Sequence, residues 1–197
     1  MKNLFISKSH KQFKAVKIYN GSQLKPLFAY ENFKLSEDSI ISWVAPCHVQ
    51  LEHMVDFEDK IENSKIAGDL MLHFIVEVFP ANLYFGVSLQ RILTALAKDL
   101  ILKMTPLKDL QITREGDDLY VLQNKKTGKL SISIATVSAV ATHIHFALNI
   151  LNSGTPVATA CLNDLKINSE KFATSLMKAF SKEYRSIAFA TKKVKPL

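Results

Sequence analysis

Two runs of alternating polar and apolar side chains constrain this fold more than any other feature of the sequence. The first run covers residues 128–136 and the second covers residues 142–150. Successive side chains of a strand leave opposite faces of a sheet, so each run predicts a β-strand. The short segment Val137–Ala141 separates the two runs. Together they predict an antiparallel hairpin.

The polar side of this hairpin is the candidate site. We expect Leu130, Ile132 and Ile134 to lie on one face, together with the apolar residues of the second strand. The opposite face is then either a solvated sheet surface or the floor of a polar site. Its side chains are those of Lys129, Ser131, Ser133, His143, His145 and Asn149.

The length of 197 residues favours one domain spanning residues 1–197. Apolar runs are too short to cross a bilayer, and the N-terminus lacks the apolar stretch of a signal peptide. Cys47 and Cys161 are the two cysteines, which is too few for a disulfide scaffold. We therefore expect a cytoplasmic protein without a membrane partner.

The net charge of +7 is better explained by solvated ends of the chain than by a nucleic-acid surface, and small anionic ligands are the alternative. The excess is mostly lysine near the two ends of the chain, and there are three arginines. Nucleic-acid surfaces usually interleave basic and aromatic side chains, and no such motif stands here. We expect a small-molecule ligand, no nucleic-acid partner, and leave a homodimer open.

The remaining elements predict an α+β fold with a largely antiparallel central sheet and flanking helices. Apolar residues at helical spacing predict a helix over Ser88–Lys103, with Ser88 as its N-cap. The same pattern predicts a second helix over Ser169–Arg185. The apolar run Leu70–Phe79 predicts a buried strand.

Three segments resemble the second half of the biotin/lipoate protein ligase and octanoyltransferase superfamily. They are Gly116–Tyr120, Lys125–Ser131 and His143–Ile150. In that superfamily a turn and strand lead to a strand lysine, and a neighbouring strand carries a His-Gly-x-Ala/Leu-Leu-Asn-Ile/Val motif. Here Phe146 stands where that glycine is usual. The resemblance implies a biotin/lipoate ligase-like fold.

The whole chain also resembles an uncharacterised family, a domain of unknown function placed near this superfamily. The resemblance spans most of the chain and brings no established activity. The stretches that carry it are Ala29–Phe33, Glu52–Asp56, Met71–Phe74, Gly116–Tyr120, Ser131–Thr136 and Gly154–Pro156.

The superfamily resemblance implies an acyl-transfer or acyl-binding site. Lys129 would contact a substrate carbonyl or phosphate, where an ammonium stabilises a developing oxyanion. Cys161 lies broadly where octanoyltransferases place their thiol, and a nearby ammonium would lower the pKa of that thiol. His145 and His143 would act as acid and base. The alternatives are a solvent-exposed lysine, a small buried cysteine and a polar sheet face.

The segments that bind an adenylate in ligases bear on nucleotide use. ATP would be the cofactor of a ligase, but the glycine- and arginine-rich segments that cradle an adenylate are absent: between Ile40 and Phe79 there is no arginine, and Gly68 is the one glycine. A non-catalytic protein that binds an anionic or nucleotide-like molecule is therefore the alternative. Beyond the catalytic candidates Lys129, Cys161 and His145, the ligand-binding candidates are Arg91, Asp118, Ser131, Ser133, His143, Asn149, His53 and His73.

A metal-dependent hydrolase is the second alternative. Cys47, His48, His53 and His73 have ligating atoms, but their spacing matches no strong metal-binding pattern. We therefore expect no metal site.

Overall fold

The structure, a computed structural model, describes residues 1–123 and 125–195. It contains a five-stranded sheet and a three-stranded sheet. The strands are β1 (Lys2–Ile6), β2 (Ser39–His48), β3 (Ala67–Val78), β4 (Gln111–Glu115), β5 (Asp118–Gln123), β6 (Lys126–Lys129), β7 (Ser131–Val137) and β8 (Thr142–Asn149). The helices are α1 (Phe28–Phe33), α2 (Phe57–Glu62), α3 (Leu83–Met104) and α4 (Ser169–Ala190).

The large sheet has the strand order β1-β2-β3-β8-β7, and β4-β5-β6 form the small sheet. All neighbouring strands pair antiparallel except β1, which runs parallel to β2. The predicted α+β class with a largely antiparallel sheet is thus confirmed. Among the described residues, no helix combines the length and the apolar character that crossing a bilayer requires.

Both faces of the large sheet are covered. On one face, Phe74 and Phe146 pack with Leu93 of α3 and Phe172 of α4 in the main core. On the other face, residues of the first fifty positions, Trp43 among them, form a second apolar cluster with Met71, Ile75 and Ala147 of the sheet. Consequently every residue of β8 is buried. Burial of each large apolar side chain contributes roughly 1.5–3 kcal/mol.

The predicted hairpin is present, but its first strand is shorter than we expected. The chain leaves the small sheet at Lys129 and enters the large sheet at Ser131, so Lys129 pairs with Tyr120 rather than with β8. Both predicted helices are also present and longer than predicted.

The predicted N-cap of α3 is wrong. Asn82 caps the helix, since its side chain accepts a hydrogen bond from the backbone N–H of Phe85. Ser88 lies inside the helix, and its hydroxyl donates to the carbonyl of Tyr84. The helix begins five residues earlier than predicted, with the apolar Leu83, Tyr84 and Phe85 in its first turn.

Candidate functional site

A cavity of about 470 Å³ lies at the edge of the large sheet. Its wall on the sheet is formed by Met71 of β3, His145 and Asn149 of β8, and Ile132 and Ile134 of β7. These residues share one face because they stand in register across neighbouring strands. The other walls come from residues 53–67, from residues 155–159 and from the turn and strand of the small sheet that carry Asp118 and Lys129.

Lys129 is held at the cavity by its backbone. Its carbonyl accepts hydrogen bonds from the side chain of Asn149 and from the backbone N–H of Ala160. The Asn149 amide also donates to the carbonyl of Ala160. One buried amide group thus joins β8, β6 and the loop that precedes Cys161, and fixes the start of the Lys129 side chain.

The ammonium group of Lys129 forms an ion pair inside the cavity wall. Its Nζ atom lies 2.7 Å from Oδ2 of Asp118, and the two side chains are 31% and 27% exposed. The cation therefore remains accessible to a ligand.

Acidic side chains outnumber basic ones around this cation. Among the described residues the lining contains Lys65 and Lys129 as its lysines, against five carboxylates. Burial raises the pKa of Asp59 and of Asp117. Arg91, whose Nη1 lies 3.0 Å from Asp117, offsets part of that effect. The carboxylates are Asp56, Glu58, Asp59, Asp117 and Asp118.

His145 belongs to a buried stack of rings that forms part of the cavity wall. Its ring lies almost parallel to that of Tyr19, with the two centroids 3.7 Å apart. His145 Nε2 lies 3.1 Å from His73 Nδ1, and His73 Nε2 lies 3.1 Å from the carbonyl oxygen of Ala45. Burial lowers the pKa of both imidazoles, that of His73 to about 3. Both rings are therefore neutral near pH 7.

The structure brings some of the predicted site residues together and separates others. Lining the cavity are Lys129, His145, Asp118, Ser131, Ser133, Asn149 and His53. Arg91 reaches it only through Asp117, and His73 only through His145.

The predicted shared face of the serines and histidines is wrong. Ser131 and Ser133 stand opposite Leu148 and Phe146, on the helix-covered side of the sheet. The Ser131 hydroxyl accepts from the backbone N–H of Leu119, and the Ser133 hydroxyl accepts from Gln90 of α3. β7 is the last strand of the large sheet, so the cavity extends past the sheet edge and is lined there by these two serines.

His143 lies at the other end of β8, where its ring serves the local structure. Its Nε2 lies 3.1 Å from the hydroxyl of Ser138, and its Nδ1 lies 3.9 Å from Glu77. The Glu77 carboxylate accepts from the backbone N–H of Leu27 at 2.6 Å. His143 is not among the described residues that line the cavity.

The expected low pKa of Cys161 is contradicted. Its side chain is buried and lies outside the described lining of the cavity. Burial raises the pKa of the thiol. The Lys129 ammonium is instead paired with Asp118.

The four residues of the metal alternative do not converge. Cys47 is buried, whereas His48 is exposed, and His73 is bound to Ala45 and His145. Within residues 1–123 and 125–195, no three His, Cys, Asp or Glu side chains are grouped as metal ligands would be. The geometry gives this alternative no support.

Sequence reasoning missed three prominent cavity residues. Asp117 could have been predicted from the sequence, because it lies in the same turn motif as Asp118. Asp59 lies three residues after Asp56, the N-cap of α2. Its position at the cavity depends on the tertiary packing of residues 53–67. Tyr19 comes from the N-terminal segment, and no local pattern relates it to His145.

Comparison with known families identifies the chain. The family described as "Domain of unknown function (DUF366)" matches residues 9–195. The chain belongs to this family. An uncharacterised protein of Methanocaldococcus jannaschii is 30% identical over 186 residues, which cover 91% of this chain and 80% of the relative. The predicted relationship to an uncharacterised family is confirmed.

Solved structures extend the comparison to the fold. A protein of unknown function from Pyrococcus horikoshii is 33% identical, with a TM-score of 0.88 and complete coverage of both chains. A lipoate protein ligase of Thermoplasma acidophilum, titled as putative and solved with lipoic acid, has a TM-score of 0.53 at 13% identity, covering 93% of this chain and 86% of its own.

The biotin protein ligase of Aquifex aeolicus, solved with biotin and ATP, has a TM-score of 0.55 at 10% identity. It covers 90% of this chain and 68% of the ligase. At such identities the two ligases establish the fold alone. The predicted biotin/lipoate ligase-like fold is thus confirmed.

Proposed function

We propose that this protein binds a small organic acid, or its activated acyl form, in the cavity beside Lys129. One observation carries the proposal: the Lys129 ammonium group stands partly exposed in the wall of a cavity of about 470 Å³. An ammonium can hold a carboxylate through a charge-assisted hydrogen bond, or polarise an acyl carbonyl.

The apolar part of the lining supports the same ligand class. Met71, Ile132 and Ile134 provide an apolar surface next to the cation. The cavity volume falls within the range of about 300–1,000 Å³ that small-molecule sites occupy. Lipoic acid and biotin, which are bound to two ligases of this fold, are both carboxylic acids with a longer uncharged portion.

The lining does not suit a triphosphate. Phosphate sites gather cations and backbone N–H groups, whereas five carboxylates surround the two lysines of the described lining. We therefore derive no step through ATP. Binding without catalysis is favoured over transfer through a thiol, because Cys161 is buried away from the described lining.

Mass spectrometry and calorimetry with octanoate, lipoate and biotin test the proposal, each with and without ATP. We expect an adduct under native conditions with one of the acids. Lys129→Gln should weaken its binding about 10–100-fold, since a hydrogen bond to a charged group contributes about 1.5–3 kcal/mol. The matched control is Lys126→Gln, an exposed lysine of the same strand, which should bind like the wild type.

The remaining outcomes are equally specific. An adduct that survives denaturation identifies acyl transfer, and one seen only natively identifies binding. Absence of binding by all three acids, or equal affinity in both lysine variants, overturns the proposal.

A further inference from the structure

The hydrogen bonds of His73 determine which ring nitrogen carries its proton. The Ala45 carbonyl can only accept a hydrogen bond, so His73 Nε2, 3.1 Å away, is the donor. A neutral imidazole has one N–H, which leaves His73 Nδ1 as an acceptor. Burial keeps this ring neutral, because its relative exposure is 0%.

The same reasoning carries one step further to His145. Its Nε2 lies 3.1 Å from His73 Nδ1, which must accept. His145 Nε2 is therefore the donor, and His145 Nδ1 bears a lone pair. A backbone carbonyl thus sets the tautomer of the histidine in the cavity wall, two rings away.

Tyr19 and the neighbouring strands hold that ring in position. The Tyr19 ring covers one face of His145 at a centroid distance of 3.7 Å and an interplanar angle of 9°. His145 stands in register between Ile75 of β3 and Ile134 of β7. Since the ring is clamped and its Nε2 is engaged, Nδ1 is the one polar ring atom that a ligand can use.

We propose that the ligand of this cavity carries a hydrogen-bond donor, an O–H or N–H group, at the end remote from its acid group, and that His145 Nδ1 accepts from it. This inference rests on the proposed binding of an acid at Lys129. It adds a second recognition point and makes His145 a specificity-determining residue.

The residues around the two recognition points indicate the kind of molecule. Asn149, which binds the backbone of Lys129, follows His145 by four residues on β8. That separation corresponds to about 13 Å between the backbones of His145 and Asn149 along the strand, and the Lys129 side chain extends from the Asn149 level to Asp118. On the neighbouring strand, Ile132 stands between these levels, opposite Ala147, and Ile134 stands at the level of His145. The ligand class is therefore an acid with an apolar portion and a hydrogen-bond donor beyond it.

The carboxylates of the lining also favour a ligand that carries hydrogen-bond donors outside its acid group. Asp59 and Asp117 also present acceptors to the cavity, so a ligand rich in donors outside its acid group is matched by the wall. A ligand with an acceptor at its far end would instead place that acceptor against the lone pair of His145, and the two groups would form no hydrogen bond.

Paired ligands test this inference. Octanoate, decanoate and dodecanoate are each compared by calorimetry with the ω-hydroxy acid of the same length. An alcohol group placed against apolar residues without a partner loses affinity, so the sign of the preference is diagnostic. We expect the wild-type protein to bind the ω-hydroxy acid of the best-fitting length about five- to tenfold more tightly, the effect of one neutral hydrogen bond.

Two variants separate the acceptor from the rest of the ring. In His145→Phe the preference should reverse, because the shape remains and the lone pair is gone. In His145→Gln the side-chain N–H can still reach His73 and the amide oxygen can still accept, so the preference for the ω-hydroxy acid should persist in part although the ring is gone. His48→Gln, at an exposed position outside the described lining, serves as the control.

A nitrogen-detected NMR experiment reads the tautomer directly. We expect the Nε2–H form for both His73 and His145, and an Nδ1–H form of His145 overturns the inference. Tighter binding of the plain acids than of the ω-hydroxy acids overturns it too, while leaving the proposed function intact. Absence of binding by every acid removes the proposed function and this inference together.

Discussion

The Lys129 ammonium group lies 2.7 Å from Oδ2 of Asp118, and both side chains line the cavity. An acid that binds at Lys129 must therefore share its cation with a resident carboxylate. Asp118→Asn removes the competing charge and keeps the size of the side chain. We expect acid binding to tighten about fivefold, since a partly exposed pair of this kind contributes up to about 1 kcal/mol.

Calorimetry with the best-binding acid measures the effect of Asp118→Asn. Glu115→Gln is the control, because it removes one negative charge from an exposed end of the same small sheet. Equal tightening in both variants would indicate a general charge effect, and weaker binding in Asp118→Asn would contradict the proposed role of Lys129.

The hydroxyl of Ser131 joins the two sheets. It lies 2.9 Å from the backbone N–H of Leu119, and Ser131 is fully buried. Ser131→Ala leaves that N–H without its partner, so we expect the free energy of unfolding to fall by about 1–3 kcal/mol. Urea denaturation measures the loss, and Ser36→Ala at an exposed position between α1 and β2 should change stability by less than about 0.5 kcal/mol.

The buried histidine pair makes the stability of the protein depend on pH. The pKa of His73 is lowered from 6.5 to about 3, and that of His145 well below 6.5, in both cases by burial. As the pH falls below about 6.5 the unfolded chain takes up protons that the native state does not bind. The free energy of unfolding therefore decreases toward acid, by up to about 1.4 kcal/mol per pH unit for each histidine.

His73→Gln tests this linkage. The glutamine amide can still donate to the Ala45 carbonyl, and one titrating group is removed. Urea denaturation at several pH values between 7 and 5 should give a shallower slope for the variant than for the wild type. Parallel slopes would mean that His73 takes up its proton in the native state as readily as in the unfolded chain.

The hairpin shows how far the sequence leads and where it stops. Alternation in β8 correctly predicts that Ile144, Phe146 and Leu148 share the core face. In β7 the same alternation predicts two faces but not which one meets the core. Both faces of this sheet are covered. Ile132 lies on the cavity side, whereas the Ser133 hydroxyl accepts a hydrogen bond from Gln90 on the helix side.

The cavity itself required the tertiary structure. Lys129, Asp118 and Asn149 could be selected from the resemblance alone, because they stand in its motifs. Tyr19 could not, because its contact with His145 depends on the packing of the N-terminal segment over the sheet. The tautomer of His145 depends on the hydrogen bond of His73 to the backbone carbonyl of Ala45. Every residue has such a carbonyl, so the sequence does not show which one accepts.

The burial of both cysteines predicts slow thiol chemistry. Burial raises the pKa of Cys47 to about 12 and also raises that of Cys161. Because the thiolate is the reactive form, a disulfide reagent at pH 8 should modify the native protein at least about tenfold more slowly than the urea-unfolded chain. Mass spectrometry after proteolysis assigns the modified positions.

Cys161→Ser separates a structural cysteine from a nucleophile. We expect the variant to bind the best-fitting acid like the wild type, because Cys161 lies outside the described lining of the cavity. Rapid labelling of Cys161 in the native protein, together with a covalent acyl adduct that disappears in Cys161→Ser, would instead require the loop of residues 155–161 to open. Acyl transfer through that thiol would then replace binding at Lys129 as the better account of this fold.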